Sequence, residues 1–502
     1  MPTDLPEIQI VELPPLKLPF WRYFELFRDQ PYAFLLDSAL ESERQGQFSF
    51  LGGDPFLVFQ AKRVKEQKFS PLADCQIIEF WNYTGEWQKT PKITQNRQEP
   101  FDVLRKLFDD YRVNDKVLTG NSIPFLNGAV GYFGYETGHL FENLPDRAKD
   151  DLNLPDIYLM FFHRVLVHCH DTGKTFWAYR GRGKEDGNDE VRVLVQKMKA
   201  LESADSNSPP PRPRSQRERG DSVQIQSHFD ETTYSQAVQT VKDHIAAGDV
   251  YQVCLTHRLE APLAGGSAWD LYRELRRINP APFASFLRFP EVEIVSSSPE
   301  RFLEIDETGL AESRPIKGTR PRGKTPTEDE RLHDELQNSA KDRAENVMIV
   351  DLVRNDFGRV CSYRSVQVPD FLTIEPYATV FQMVSTVQGQ LAEGRDRFDL
   401  IEACFPGGSM TGAPKIEAMK IIDELEPSAR GIYSGAIGYL DFRGAMDLSM
   451  VIRTILVKDG RCYFHVGGGI VADSDPAGEY HETQDKARAL IAAIENLGMV
   501  RT

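Results

Sequence analysis

The chain has 502 residues, 41% of them apolar and 27% charged, with a formal net charge of −16. That length and composition support a sizeable buried core and more than one ordinary domain. The acidic balance disfavours nucleic acid and anionic membranes as partners, and no apolar run approaches membrane-spanning length.

The N-terminal stretch MPTDLPEIQIVELPP lacks a basic segment followed by an apolar one, so no signal peptide is predicted. Short alternating runs at Tyr32–Asp37, Phe48–Leu51 and Ile157–His168 predict strands, and the Gly-rich stretch 128–138 predicts a strand and turn. His163, His168 and His170 lie near Cys169, but their spacing fits a strand with a polar edge better than a metal site. Residues 202–227, ESADSNSPPPRPRSQRERGDSVQIQS, are polar and rich in Ser and Pro. Such a segment buries too little surface to offset its ordering entropy, so it is read as a linker or loop between regions 1–201 and 228–502. Beyond it, Thr233–Ala247 predicts a helix, and Ile294–Ser298, Val366–Val368 and Cys462–Val466 predict strands. Asp329–Asp351 is predicted to be one long amphipathic helix. This order is not a regular βαβ alternation, so the expectation is α+β with large, mostly antiparallel sheets. Six scattered cysteines without a C-x-x-C pair predict reduced thiols in a cytoplasmic protein.

Four clusters carry chemistry. RPIKGTRPRG (314–323) places Lys317 in a Pro-flanked loop, where a lysine can act as nucleophile or base. KDRAENVMIVDLVRND (341–356) holds Asp342 and Glu345 three apart on one helix face. GGGIVADSDPAGEYHETQDKAR (467–488) repeats that spacing with Glu479 and Glu482, and adds Lys486 one turn on. Two acidic pairs that converge would suit Mg²⁺, which takes oxygen ligands and bridges to substrate anions. The bare amides of Gly467, Gly468 and Gly469 suit an incoming carboxylate. FPGGSMTGAPKIEAMKIIDELEP (405–427) runs from a small-residue loop into a helix, an anion-binding arrangement that is not a Walker A loop. GIYSGAIGY (431–439) and Arg453 add a phenol, Tyr433, and a cation on neighbouring strands. No cysteine lies in a G-x-C-x-G elbow, so no glutaminase nucleophile is present.

Together and in this order, these motifs closely resemble the chorismate-utilising enzymes, strongly over 228–495 and weakly over 20–180. That family includes the large components of anthranilate and aminodeoxychorismate synthases, isochorismate synthases and salicylate synthases. The resemblance implies a pair of orthogonal antiparallel β-sheets forming a sandwich wrapped by helices, with 1–201 as the N-terminal region of the anthranilate synthase component I type and 228–502 as the chorismate-binding catalytic region. It implies Glu345 and Glu482 as direct Mg²⁺ ligands, with Asp342 and Glu479 supporting the ion. Gly318, Thr319, Tyr433, Arg453, Gly467, Gly468, Gly469 and Lys486 would hold chorismate, and Glu300 in SSSPERF would be the general acid.

A few positions select the branch. Gln252 stands where isochorismate and salicylate synthases carry a water-activating lysine, which implies a nitrogen nucleophile. P-I-K-G-T (315–319) resembles aminodeoxychorismate synthases, in which the lysine attacks C2 of chorismate, whereas anthranilate synthases read P-I-A-G-T. Gln382 replaces a histidine linked to pyruvate elimination. The expected reaction is therefore Mg²⁺-dependent amination to 4-amino-4-deoxychorismate, for 4-aminobenzoate and folate synthesis, with ammonia from a separate glutamine amidotransferase. The alternatives are anthranilate synthase component I and a non-catalytic protein that binds chorismate or tryptophan. FLLDSA (34–39) resembles the tryptophan-site segment of anthranilate synthases: Ser38 matches a contact residue, and Asp37 replaces the usual glutamate.

Overall fold

The computed structural model describes residues 8–40, 46–64, 69–81, 87–112, 123–180, 184–206, 223–263, 265–377 and 380–498. Two antiparallel twelve-stranded sheets organise them. The first runs Ile8–Glu12, Lys174–Arg180, Arg164–Cys169, Phe48–Gly53, Ala33–Asp37, Phe283–Arg288, Glu293–Ser298, Thr454–Lys458, Arg461–Ile470, Gln252–Pro262 and Gln226–Ser227, with Gly412–Ala413 also bonded to Gln252–Pro262. The second runs Ile316–Pro321, Val380–Gln390, Leu310–Ser313, Arg301–Ile305, Met446–Met450, Ala436–Asp441, Gly128–Phe133, Ile157–Phe162, Leu57–Arg63, Ala73–Trp81 and Trp87–Gln98, with Gln367–Pro376 also on Val380–Gln390.

The inner faces of the sheets share one core. Phe34, Phe50 and Ile294 of the first sheet pack with Val130, Tyr158 and Ile437 of the second. Ile157–Phe162 is buried along its whole length, which explains its unbroken apolar run. On the outer face of the first sheet, Leu271 and Leu275 of helix Ala268–Ile278 meet Leu490 and Ile494 of helix Pro476–Gly498. This is the α+β architecture expected from the sequence.

Several local expectations change. The predicted helix Asp329–Asp351 is two helices, Pro326–Gln337 and Ala340–Gly358. Ser339 starts the second by accepting the Asp342 N–H at 3.3 Å, a side-chain cap that competes with continuing the first helix. Ile157–His168 divides at His163 into two strands. Lys317 lies on a strand rather than in a loop, beside a break in register between Ile316 and Thr319. Tyr433 and Arg453 lie on turns flanking strands, Arg453 with a left-handed φ of +52°. Of the segment 202–227, residues 207–222 lie outside the described residues. All six cysteines are free thiols. No helix among the described residues is long and apolar enough to cross a membrane.

Candidate active site

Two helices bring the acidic pairs to the Gly-rich strand Arg461–Ile470. Helix Ala340–Gly358 carries Asp342 and Glu345 in its first turns, and helix Pro476–Gly498 carries Glu479 and Glu482 in its own. The charges of Glu345 and Glu482 bear on each other across the gap between these helices. Gly468 lies against the second pair: a Cβ there would stand 3.1 Å from Glu479 Oε2, 3.6 Å from Glu482 Oε1 and 3.7 Å from Lys486 Nζ. The absent side chain leaves these groups facing bare backbone. Lys486 Nζ binds Glu482 at 2.7 Å and the Gly467 carbonyl at 2.8 Å, tying helix to strand.

The acids are unequal. Burial pushes the carboxyl of Glu345 above its usual range, opposed by Lys317 and Lys341 and reinforced by Asp342 and Glu482. Burial and the Glu482 charge likewise raise Glu479, against a hydrogen bond from Ser474. For Glu482 burial works in the same direction, but Lys486, Lys341 and Lys317 together prevail and hold it low. Asp342 is paired with Arg320 at 3.1 Å. Among the described residues no three His, Cys, Asp or Glu side chains stand close enough to enclose an ion. Mg²⁺ needs only one or two carboxylates, with water and substrate oxygens completing its shell, so hard oxygens from two facing helices suit it chemically.

Lys317 links this acidic side to Glu300. Its charge acts on Glu345, Glu482 and Glu300 alike. Glu300 is buried, and that burial pushes its carboxyl up to about 7, against the pull of Lys317 and hydrogen bonds from the Ser409 hydroxyl and the Ile316 backbone. A carboxyl in that range is a competent proton donor near neutral pH. Gly318 follows Lys317 with φ +81°, and a Cβ there would stand 2.8 Å from Asp342 Cγ, so only glycine fits between strand and helix. Thr319 is exposed and pairs across the sheet with Gln382, which brings Gln382 to the lysine segment. Tyr433 is buried and stacked on His465, with ring centroids 4.9 Å apart. Arg453 donates to the Lys486 carbonyl at 3.3 Å, and burial lowers its guanidinium pKa. Among the described residues the buried side-chain amide of Gln252 has no hydrogen-bond partner, and its Nε2 would meet a Cβ on Gly469 at 2.8 Å.

Ser38 is elsewhere. It lines a separate cavity of about 720 Å³, walled in part by Arg301, Glu304, Glu312, Arg314 and Asp447. Asp37 is held by Arg276 at 2.5 Å and by the Tyr272 hydroxyl at 2.8 Å. Of the three histidines near Cys169, His163 stacks on Phe56 and His168 bonds Thr175. Three site residues were not singled out from sequence: Ser409, Ser474 and Arg320. All lie inside motifs that were read, but a side-chain bond to a particular carboxylate has no local sequence signal.

The sequence profile described as chorismate binding enzyme matches residues 58–492. Aminodeoxychorismate synthase component 1 of Escherichia coli (strain K12) is 37% identical, over 94% of this chain and 95% of its own. Anthranilate synthase component 1 of Acetivibrio thermocellus is 36% identical, over 95% and 93%. The crystal structure of anthranilate synthase component I from Streptococcus pneumoniae superposes with a TM-score of 0.71 at 28% identity, covering 90% of this chain and 93% of that one. With its acidic helices, Gly-rich strand and buried acid on this shared fold, the chain belongs to the family of chorismate binding enzymes.

Proposed function

We propose that the chain aminates chorismate at C4, giving 4-amino-4-deoxychorismate and water. The observation that carries this reading is Lys317, whose charge acts on the buried acid Glu300 on one side and on the Glu345–Glu482 pair on the other. The Lys317 amine forms a bond to C2 of chorismate. Both ring double bonds shift and the C4–O bond breaks, with Glu300 giving its proton to the departing hydroxyl. Ammonia then bonds to C4, the two double bonds shift back, the C2–N bond to Lys317 breaks to restore the free lysine, and the new C4 ammonium returns a proton to Glu300. Tyr433, Arg453, Thr319 and the Gly467–Gly469 amides orient the substrate, and Lys486 adds positive charge toward its carboxylates. Glu345 and Glu482 would hold Mg²⁺ with Asp342 and Glu479 behind them; when bound, the ion neutralises substrate carboxylate charge.

The relatives of anthranilate synthase type are equally similar in sequence, so the branch rests on two side chains. Lys317 supplies the nucleophile for the C4 route. Gln382, paired with Thr319 two residues on, has an amide that does not ionise near neutral pH and cannot remove the ring proton that aromatisation requires. A non-catalytic chorismate binder would have no use for a buried acid set near neutrality. The chain carries no glutaminase elbow, which supports a separate amidotransferase as the ammonia source in a cytoplasmic complex. Calorimetry with tryptophan tests the cavity beside Ser38 as a tryptophan site.

The deciding experiment incubates the purified chain with chorismate, Mg²⁺ and ammonium and identifies the product by mass and absorbance. The expected product keeps its enolpyruvyl group, and a separate lyase converts it to pyruvate and 4-aminobenzoate. Rapid appearance of fluorescent anthranilate overturns the branch and leaves the family standing. Glutamine in place of ammonium is expected to give no product; hydrolysis of glutamine by the pure chain overturns the two-component reading.

A further inference from the structure

The turn that precedes helix Pro476–Gly498 contains a serine with no freedom left. Ser474 is 2% exposed. Its Oγ accepts the Val471 N–H at 3.1 Å and donates to Glu479 Oε1 at 2.6 Å. Its own N–H donates to the Val471 carbonyl at 3.0 Å. Its carbonyl accepts from Lys242 Nζ at 2.6 Å, a brace from helix Glu231–Ala247. A hydroxyl has one proton, and with the Val471 N–H already on its oxygen, that proton is committed to Glu479. Glu479 therefore has one oxygen engaged. The other, Oε2, is turned toward Gly468, beside Glu482.

We infer that Ser474 is a positioning and metal-selecting residue, which holds Glu479 so that it approaches the divalent-ion site through Oε2 alone. The inference rests on the Mg²⁺ reading of the acidic pairs. Its chemical content is discrimination. Mg²⁺ is small, keeps its waters and demands near-octahedral geometry, whereas Ca²⁺ accepts more oxygens and readily takes a carboxylate through both. Behind the direct ligands, a glutamate locked to one oxygen can receive one water of the small ion's shell, and it cannot swing in to give a larger ion both oxygens. Lys242 acts one step further out, by fixing the backbone that carries Ser474.

The test measures ion binding directly. Mn²⁺, a Mg²⁺ surrogate, is titrated into the full chain with chorismate present and ammonia withheld, and free Mn²⁺ is read by electron paramagnetic resonance. Ca²⁺ is then added as competitor. In Ser474→Ala the Mn²⁺ dissociation constant is expected to rise about tenfold, the lower range for losing an outer-shell partner, while Ca²⁺ affinity holds or improves. The Ca²⁺-to-Mn²⁺ preference thus shifts by about tenfold or more. Ser474→Thr restores the wild-type ratio, and Ser474→Ala adds nothing once Glu479→Ala is present. An unchanged ratio in folded Ser474→Ala, or losses that add in the double variant, overturns the inference. If Ser474→Ala does not fold, Lys242→Met is read by the same ratio, with the same two outcomes. Glu345→Ala and Glu482→Ala test the underlying reading separately: wild-type Mn²⁺ binding in both removes the ion site itself, whereas their loss beside an unaffected Ser474→Ala removes only the role of Ser474.

Discussion

Glu300 shows how burial sets the acidity of a single side chain. Its folded pKa of about 7 exceeds the ordinary 4.5 because burial penalises the charged form. Between those values the folded state holds a proton that the unfolded state has lost, so stability falls as pH rises through this window. Glu300→Gln imitates the protonated carboxyl. It is expected to abolish most amination, yet to raise unfolding free energy above pH 7 by up to about 3 kcal/mol, with no gain below pH 4. Denaturant melts of both proteins at pH 4 and pH 8 check this. Wild-type turnover is expected to decline as pH rises through about 7, as the acid loses its proton. At Lys317 the expectation is different. Lys317→Ala keeps slow direct amination by free ammonia, and the chorismate-derived adduct seen by intact-protein mass spectrometry in the wild type disappears. Full activity in Lys317→Ala with no adduct in the wild type under trapping makes the lysine electrostatic only.

Helix Ala340–Gly358 carries one of the two acidic pairs of the candidate site. Its first turns carry Asp342 and Glu345, and near its far end Asp356 binds Lys415 at 2.8 Å, stapling it to the start of helix Lys415–Leu425. Lys415 also holds the Cys404 carbonyl at 2.7 Å, and so closes the segment that presents Ser409 to Glu300. Both charges are largely buried, so removing one strands the other. Lys415→Met is expected to cost roughly 3 kcal/mol in denaturant unfolding, and adding Asp356→Leu to recover most of it. At this scale much of the layout of the candidate site was legible in the sequence. Acidic residues three apart on a helix share a face wherever the helix is packed, so the pairs Asp342–Glu345 and Glu479–Glu482 were readable from spacing. The break at Asn338–Ser339 was not, because it turns on a cap competing with a continuous apolar pattern. Tyr433 and Arg453 were given to strands because turns that flank strands carry the same apolar neighbours. The acidity of Glu300 depends on which segments close over it, a property of tertiary packing. The bond from Ser474 to Glu479 is local, five residues apart, yet a serine in a turn has many equally good partners, and only the folded turn selects one.

Across the whole molecule, the segment 202–227 divides the sequence but not the sheets. Ala33–Asp37 pairs with Phe283–Arg288 in the first, and Gly128–Phe133 with Ala436–Asp441 in the second. Each half would expose a central strand edge if made alone. Residues 8–206 and 223–502 expressed separately are expected to be insoluble and inactive, and to give an active complex when co-expressed. Recovery of a soluble, active 223–502 fragment by itself would contradict this. The same pairing has a consequence during synthesis. The partner of Ala33–Asp37 is translated roughly 250 residues later, and that of Gly128–Phe133 roughly 300, which at ribosomal speeds of about 5–20 residues per second is a delay of some tens of seconds. Throughout that interval two apolar strands have one edge open and no partner yet made, so the nascent chain is most exposed to aggregation before its second half exists, and yield should depend on translation rate and chaperone supply more than on the stability of the finished fold.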